Sequence, residues 1–211
     1  MEKAKKRILS LSIIFLVFWA LCFGLKYVIQ ISKFDLDTKL KLDLGVVILT
    51  TIWSIFYTLI LINFLRFIKK MKNTNLNKFL NICYALLIIN LLILITNAVL
   101  DGVIAFIHYL GLVNYAEFEQ YQYNLDFIRI FIKLVYGMIV SYYIIKLESK
   151  YKNQFYLYLI VFWLLLLLPY VLNNLELHIP MLLRDSLWTI EVGIIYYIAN
   201  VVKFDKIESY N

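Results

Sequence analysis

Turn-forming residues are scarce in this chain, with 6 glycines and 2 prolines among 211 residues. A β-barrel needs turn residues at each hairpin, so that route through a membrane is disfavoured. Histidine and cysteine are equally rare. The histidines are His108 and His178, the cysteines Cys22 and Cys83, and no zinc-ligand spacing can be drawn from them. The chain also lacks an HExxH metal motif, a Gly-x-Ser nucleophile motif and a glycine-rich phosphate loop. An acid–base set could be drawn from Asp101, His108, Glu176, His178 and Glu191 only by assuming contacts that spacing does not supply. The sequence therefore leans away from an enzyme and implies no cofactor. The net charge is +7, yet no dense basic block is interleaved with stacking aromatics, so nucleic acid is not an expected partner.

Apolar residues, by contrast, make up 63% of the chain, against roughly 45–50% in an ordinary soluble domain. A soluble fold of this length could not hide so much apolar surface. Lipid removes the difficulty, because apolar side chains can then face outward. The long unbroken runs indicate helices, and the expected class is an all-α integral membrane protein forming a single polytopic domain over 1–211.

Six spans are expected: Ile8–Ile31, Gly45–Phe67, Phe79–Leu100, Phe127–Ile145, Phe155–Leu172 and Met181–Val202. Each is near the ~20 residues that cross about 30 Å of hydrocarbon. Lys3, Lys5, Lys6 and Arg7 ahead of the first run resemble the start of a signal peptide. The run is too long for a signal core and shows no small-x-small cleavage site, and Leu21 stands before Cys22 where a lipoprotein signal needs a small residue. It reads as the first span.

Orientation follows from where Lys and Arg fall. One side collects 14 of them: Lys3 to Arg7, the group from Arg66 to Lys78, the group from Lys146 to Lys152, then Lys203 and Lys206. The other side has 7, Lys26, Lys33, Lys39, Lys41, Arg129, Lys133 and Arg184, mixed with most of the acidic residues. The first side is expected in the cytoplasm, with both termini, and the cell membrane is the expected compartment. Cys22 then falls in the outer half and Cys83 near the inner face, too far apart in depth for a disulfide.

The longest connection follows Leu100. Asn114 with Glu117 three residues later resembles a helix cap, and Tyr115, Phe118, Tyr121 and Leu125 recur at helical spacing. An amphipathic helix lying at the outer surface, separate from the fourth span, is expected there.

A membrane should exclude polar groups, so those inside the spans are the candidates for function. Helix three carries a stripe of Asn90, Asn97, Asp101 and His108, at separations of seven, four and seven, which share one helical face. Packing against another helix is the first reading of the stripe and a solute path the second. Thr51, Ser54 and Thr58 on helix two are expected to bond to carbonyls of their own helix. Arg129 and Lys133 are one turn apart on helix four, and Arg184 and Glu191 are seven apart on helix six. Arg129 and Arg184 can snorkel to the outer headgroups. Glu191 lies deeper, about 15 Å from Met181 at 1.5 Å per residue. A carboxylate there is costly unless paired or hydrated, and Lys133 is its expected partner across the bundle.

The intramembrane set Glu191, Lys133, Arg129, Asp101 and Arg184 gives the first functional expectation. It is a non-enzymatic component that handles a small solute or ion, as a transporter, channel or transporter subunit. The alternative is an interaction or sensor protein, such as an immunity or defence component, that acts by assembly, with the helix-three stripe as an oligomer seam. An intramembrane enzyme is third. The lipid bilayer is the one certain partner, and a homo-oligomer or a membrane or cytoplasmic partner subunit stays open.

Overall fold

The computed structural model describes residues 2–71, 77–110, 116–147, 151–174 and 181–202; within these, the side chains at 70–71, 77–80, 105, 108–109, 116–119, 170, 173–174 and 181–186 are outside the description. The described residues form six helices and no strand: α1 (Glu2–Ile31), α2 (Leu36–Met71), α3 (Asn77–Tyr109), α4 (Ala116–Ile145), α5 (Lys152–Asn174) and α6 (Met181–Val201). Five of them are long and apolar enough to cross a membrane. The sixth is shorter in this respect, its apolar stretch running over Leu187–Val201. By length and composition this is a multi-pass membrane bundle.

The helices outrun the apolar runs that announce them. α2 has 36 residues, about 54 Å at 1.5 Å per residue, well beyond a ~30 Å hydrocarbon layer. Backbone hydrogen bonding continues into the polar flanks until a cap stops it. At the start of α2 that cap is Asp35, whose carboxylate accepts the Thr38 backbone N–H at 3.1 Å. Hydrogen bonds from the Thr38 side chain and backbone hold the Asp35 carboxyl below the usual carboxylate range.

The separate outer helix is not present. Residues 116–126 are helical, but they continue without a break into the fourth span as the 30-residue α4. The physical reason stands in the sequence: between Ala116 and Gly137 there is no glycine or proline to end a helix. Asn114 and Tyr115, the expected cap and first apolar position, lie outside the described residues.

Successive helices pack against one another, and α1 returns onto α6. Polar side chains join neighbouring helices. Cys22 on α1 meets Thr50 on α2 at 3.4 Å, Asn97 on α3 meets Asp126 on α4, and Trp163 on α5 donates to Ser141 on α4 at 2.9 Å. α2 also touches α6 directly. The result is a ring of six helices in chain order, closed by α1 on α6, with α2 also touching α6 across it. Closure at one end comes from Lys5, whose Nζ donates to the carbonyls of Asn200 (3.2 Å) and Val202 (3.4 Å). Carbonyls at the last turn of a helix have no donor of their own, and a cation there also suits the helix dipole.

Large apolar side chains such as Ile13, Val17, Ile48, Leu92, Phe131, Met138, Ile160 and Leu164 face outward. That pattern suits lipid and would not suit water. Thr51, Ser54 and Thr58 donate to the carbonyls of Val47, Thr50 and Ser54, as expected of hydroxyls in an apolar helix. Cys22 and Cys83 are buried free thiols.

Candidate functional site

The interior of the ring has two halves. Toward the end that holds Arg66, Lys146 and Lys152, here called the basic end, it is sealed by apolar and aromatic packing. Phe64 stacks on Phe155 with centroids 6.2 Å apart, Phe67 tilts against the same ring at 6.4 Å, and Val192, Ile195 and Ile198 are fully buried. Toward the opposite end the interior is polar.

The polar half is organised by α4. Asp126, Arg129, Lys133 and Tyr136 follow at separations of three, four and three, so they share one face. Burial deepens along that face. The Asp126 side chain is 53% exposed and that of Arg129 18%, while the residue Tyr136 is 2% exposed. Asp126 Oδ1 accepts from Arg129 Nη1 at 2.7 Å and from Asn97 Nδ2 on α3 at 3.0 Å. Arg129 is therefore turned toward the more exposed Asp126 carboxylate and is itself largely covered.

One turn deeper, Lys133 places its Nζ 2.9 Å from the centroid of the Trp188 ring on α6. A cation over an aromatic face is stabilised by about 0.5–1 kcal/mol at exposed sites and ~2 or more when desolvated. Trp188 in turn lies edge-on to Tyr57 of α2, at 5.1 Å and 84°. Tyr57 donates its hydroxyl to Glu191 Oε2 at 2.6 Å, and Tyr158 of α5 donates to Oε1 at 3.1 Å. The Tyr136 hydroxyl is 3.4 Å from that of Tyr158. Glu191 is 4% exposed, so each carboxylate oxygen has one phenolic donor in a site that water barely reaches. Hydrogen bonds to a charged group are roughly twice as strong as neutral ones, which offsets part of the desolvation cost.

The expected Lys133–Glu191 contact is replaced by a looser relation. The two side chains rest on other partners, Trp188 for the lysine and the two tyrosines for the carboxylate. Among the described residues the backbones of α4 and α6 do not pack together, so only long side chains span the gap. Two buried atoms beside this set have no hydrogen-bond partner: the donor Arg129 Nε and the acceptor Asn97 Oδ1.

Of the remaining candidates, Asp101 stands apart from the Glu191 cluster and accepts from Gln122 of α4 at 2.7 Å. Asn97 and Asp101 thus join α3 to α4 within one chain. Asn90 is 3% exposed, with its Oδ1 unpartnered. The side chains of His108 and Arg184 are outside the described residues. Sequence reasoning missed Tyr57, Tyr136, Tyr158 and Trp188. A signal existed for the tyrosines, since a hydroxyl in mid-span needs a partner, whereas tyrosine in membrane helices favours the headgroup level.

Among the described residues no group of three or more His, Cys, Asp or Glu is placed to hold a metal ion. No known protein family, curated protein or solved structure matches the chain.

Proposed function

We propose that this protein is a non-enzymatic membrane component that moves a small polar solute or ion, with Lys133 and Glu191 as its binding pair. The observation that carries the reading is the separate support of the two opposite charges. A purely structural ion pair gains most from direct contact and hydrogen bonding between its members. Here each is steadied by aromatic groups and its charge is left for a third body. The unpartnered Arg129 Nε and Asn97 Oδ1 add one donor and one acceptor on the approach. The α4 face leads from exposed Asp126 inward, and the aromatic packing around Phe64 and Phe155 closes the far side. Polar groups that run inward from one end to a buried pair, with an aromatic seal at the other end, suit an occluded state of an alternating-access cycle.

The surplus of basic residues supports a cytoplasmic basic end, with the site loaded from outside across the cell membrane. Single cysteines at Lys39 and Lys146 in a Cys22/Cys83-free background test this. An impermeant maleimide added to intact cells should label position 39 and leave position 146 untouched until the membrane is opened. The reverse pattern inverts the direction of transport.

The function itself is tested in proteoliposomes carrying an internal pH or membrane-potential dye, challenged with small cations, anions and zwitterions. A responding solute should be lost with Glu191→Gln, and Lys133→Met should weaken its binding. Combining the two removes both buried charges and should recover folding lost by either single change. Folding recovered without flux supports a solute site. Recovery of both identifies a structural pair, and simple additivity means that the residues do not interact.

A further inference from the structure

A second feature lies away from the polar core, where α1 and α2 meet at the basic end. A crevice of about 780 Å³ opens there between Arg7 and Lys3 of α1 and Arg66 and Asn63 of α2. This volume falls within the 300–1,000 Å³ typical of ligand sites. Four cations line it, Lys3, Lys6, Arg7 and Arg66, against one carboxylate, Glu2. Glu2 engages Lys6 at 3.7 Å with both side chains largely exposed, so the crevice keeps a net positive charge.

The lining changes character with depth. On α2 the positions Arg66, Ile62, Leu59 and Ile55 follow at separations of four, three and four and therefore form one strip. Arg66 stands five residues before the end of the helix, and the three apolar residues run from it toward mid-bundle. Leu59 and Ile62 line the crevice itself, with Leu11 opposite on α1. Ile55 and Leu59 are exposed, at 37% and 38%. Beside the strip sits Asn63, 4% exposed, whose Nδ2 donates to the Leu59 carbonyl at 2.8 Å and whose Oδ1 has no partner. The crevice thus joins a cationic rim, one buried polar acceptor and an apolar track in a single column along α2.

We infer that this crevice binds one anionic phospholipid, its phosphate between Arg7 and Arg66 and an acyl chain along Ile62, Leu59 and Ile55. Arginine forks match phosphate oxygens in pairs, and basic pockets between membrane helices favour anionic headgroups. A free phosphate or phosphate ester would use the rim alone and leave the apolar track without a role. The Asn63 acceptor favours a headgroup that carries hydroxyl donors, such as phosphoglycerol.

The test uses the full chain in phosphatidylcholine nanodiscs, titrated with phosphatidylglycerol and read by native mass spectrometry for bound lipid. One tightly retained phosphatidylglycerol per chain is expected. Arg7→Ala with Arg66→Ala should weaken it about thirtyfold, at roughly 1 kcal/mol per basic residue at a membrane surface. A control pair at the same end, Lys146→Ala with Lys152→Ala, should leave it unchanged. Leu59→Asn should weaken phosphatidylglycerol while sparing any binding of glycerol phosphate. If the double arginine variant fails to fold, Arg66→Gln alone, at an exposed position, serves in its place with a smaller loss. Equal losses in the arginine and control pairs would mean diffuse surface attraction and overturn the site. Competition by millimolar inorganic phosphate or glycerol phosphate would overturn the lipid assignment in favour of a soluble phosphate ligand.

Discussion

Replacing Tyr57 and Tyr158 together by phenylalanine is expected to cost about 3–6 kcal/mol of stability, at roughly 1.5–3 for each hydrogen bond to a charged group. The two phenols are the donors to Glu191, one to each oxygen, and the carboxylate is too buried to recruit bulk water in their place. Phenylalanine keeps the ring contacts, including that of Phe64 on Tyr158 at 4.8 Å, so the loss isolates the hydroxyls. The measurement is a reversible unfolding titration of the detergent-solubilised protein. Adding Glu191→Met to the double variant removes the stranded carboxylate and should recover most of the loss, because an apolar site of similar shape has nothing left to satisfy. A double variant that loses less than about 1 kcal/mol, or a triple variant no more stable than the double, would show that Glu191 does not depend on these donors.

The second large effect is expected at Gly137, where α4 packs tightly on α5 side chains. A Cβ built there would meet Phe162 Cε1 far inside van der Waals distance and would lie 3.1 Å from Trp163 Cζ2. No real Cβ tolerates the first contact, so either Phe162 leaves its place or the helices separate. Phe162 packs on both Tyr136 and Tyr158, with centroids 5.7 and 6.0 Å away, so its displacement reaches the tyrosines that meet at Glu191. Gly137→Val should destabilise by about 1–3 kcal/mol or more, the range for overpacking a filled interior. Trp163, held by Ser141, reports the change as a red-shifted emission. Gly193 on α6 is the control, since a Cβ there meets nothing within 4 Å. Gly193→Ala should be neutral or slightly stabilising, as alanine is the better helix former by about 0.8–1.0 kcal/mol. Equal behaviour at the two positions would mean that α4 and α5 are not in close contact.

The helices were legible in the sequence because lipid imposes one simple demand, a long apolar run, and the runs are long. Their ends were less so. Gly45 and Phe67 bound the apolar part of α2, whereas its hydrogen bonding extends from Leu36 to Met71, since hydropathy marks the lipid boundary and not the cap. The outer helix was misplaced for the same reason: a change from polar to apolar character at Phe127 looked like a break, yet nothing between Ala116 and Gly137 interrupts a helix. In the candidate site, Glu191, Lys133 and Arg129 stood out as charges within apolar runs. Tyr57, Tyr158 and Trp188 did not, because with 17 tyrosines in the chain none is conspicuous by itself. Their significance depends on α2 touching α6, a contact between elements 134 positions apart at Tyr57 and Glu191, and no local pattern encodes it.

The Lys5 bridge to the end of α6 also has a meaning in time. Its two ends are 195 and 197 residues apart. At a synthesis rate of about 5–20 residues per second, α1 emerges roughly 10–40 s before the carbonyls it will cap. During that interval α1 can associate with α2, the neighbour made next, but one flank has only lipid or an insertion chaperone to cover it. The ring therefore closes last at its oldest helix, and a nascent chain halted before α6 is a different object from the finished one: five helices in place, an unsatisfied lysine, and the Glu191 end of the polar core not yet made.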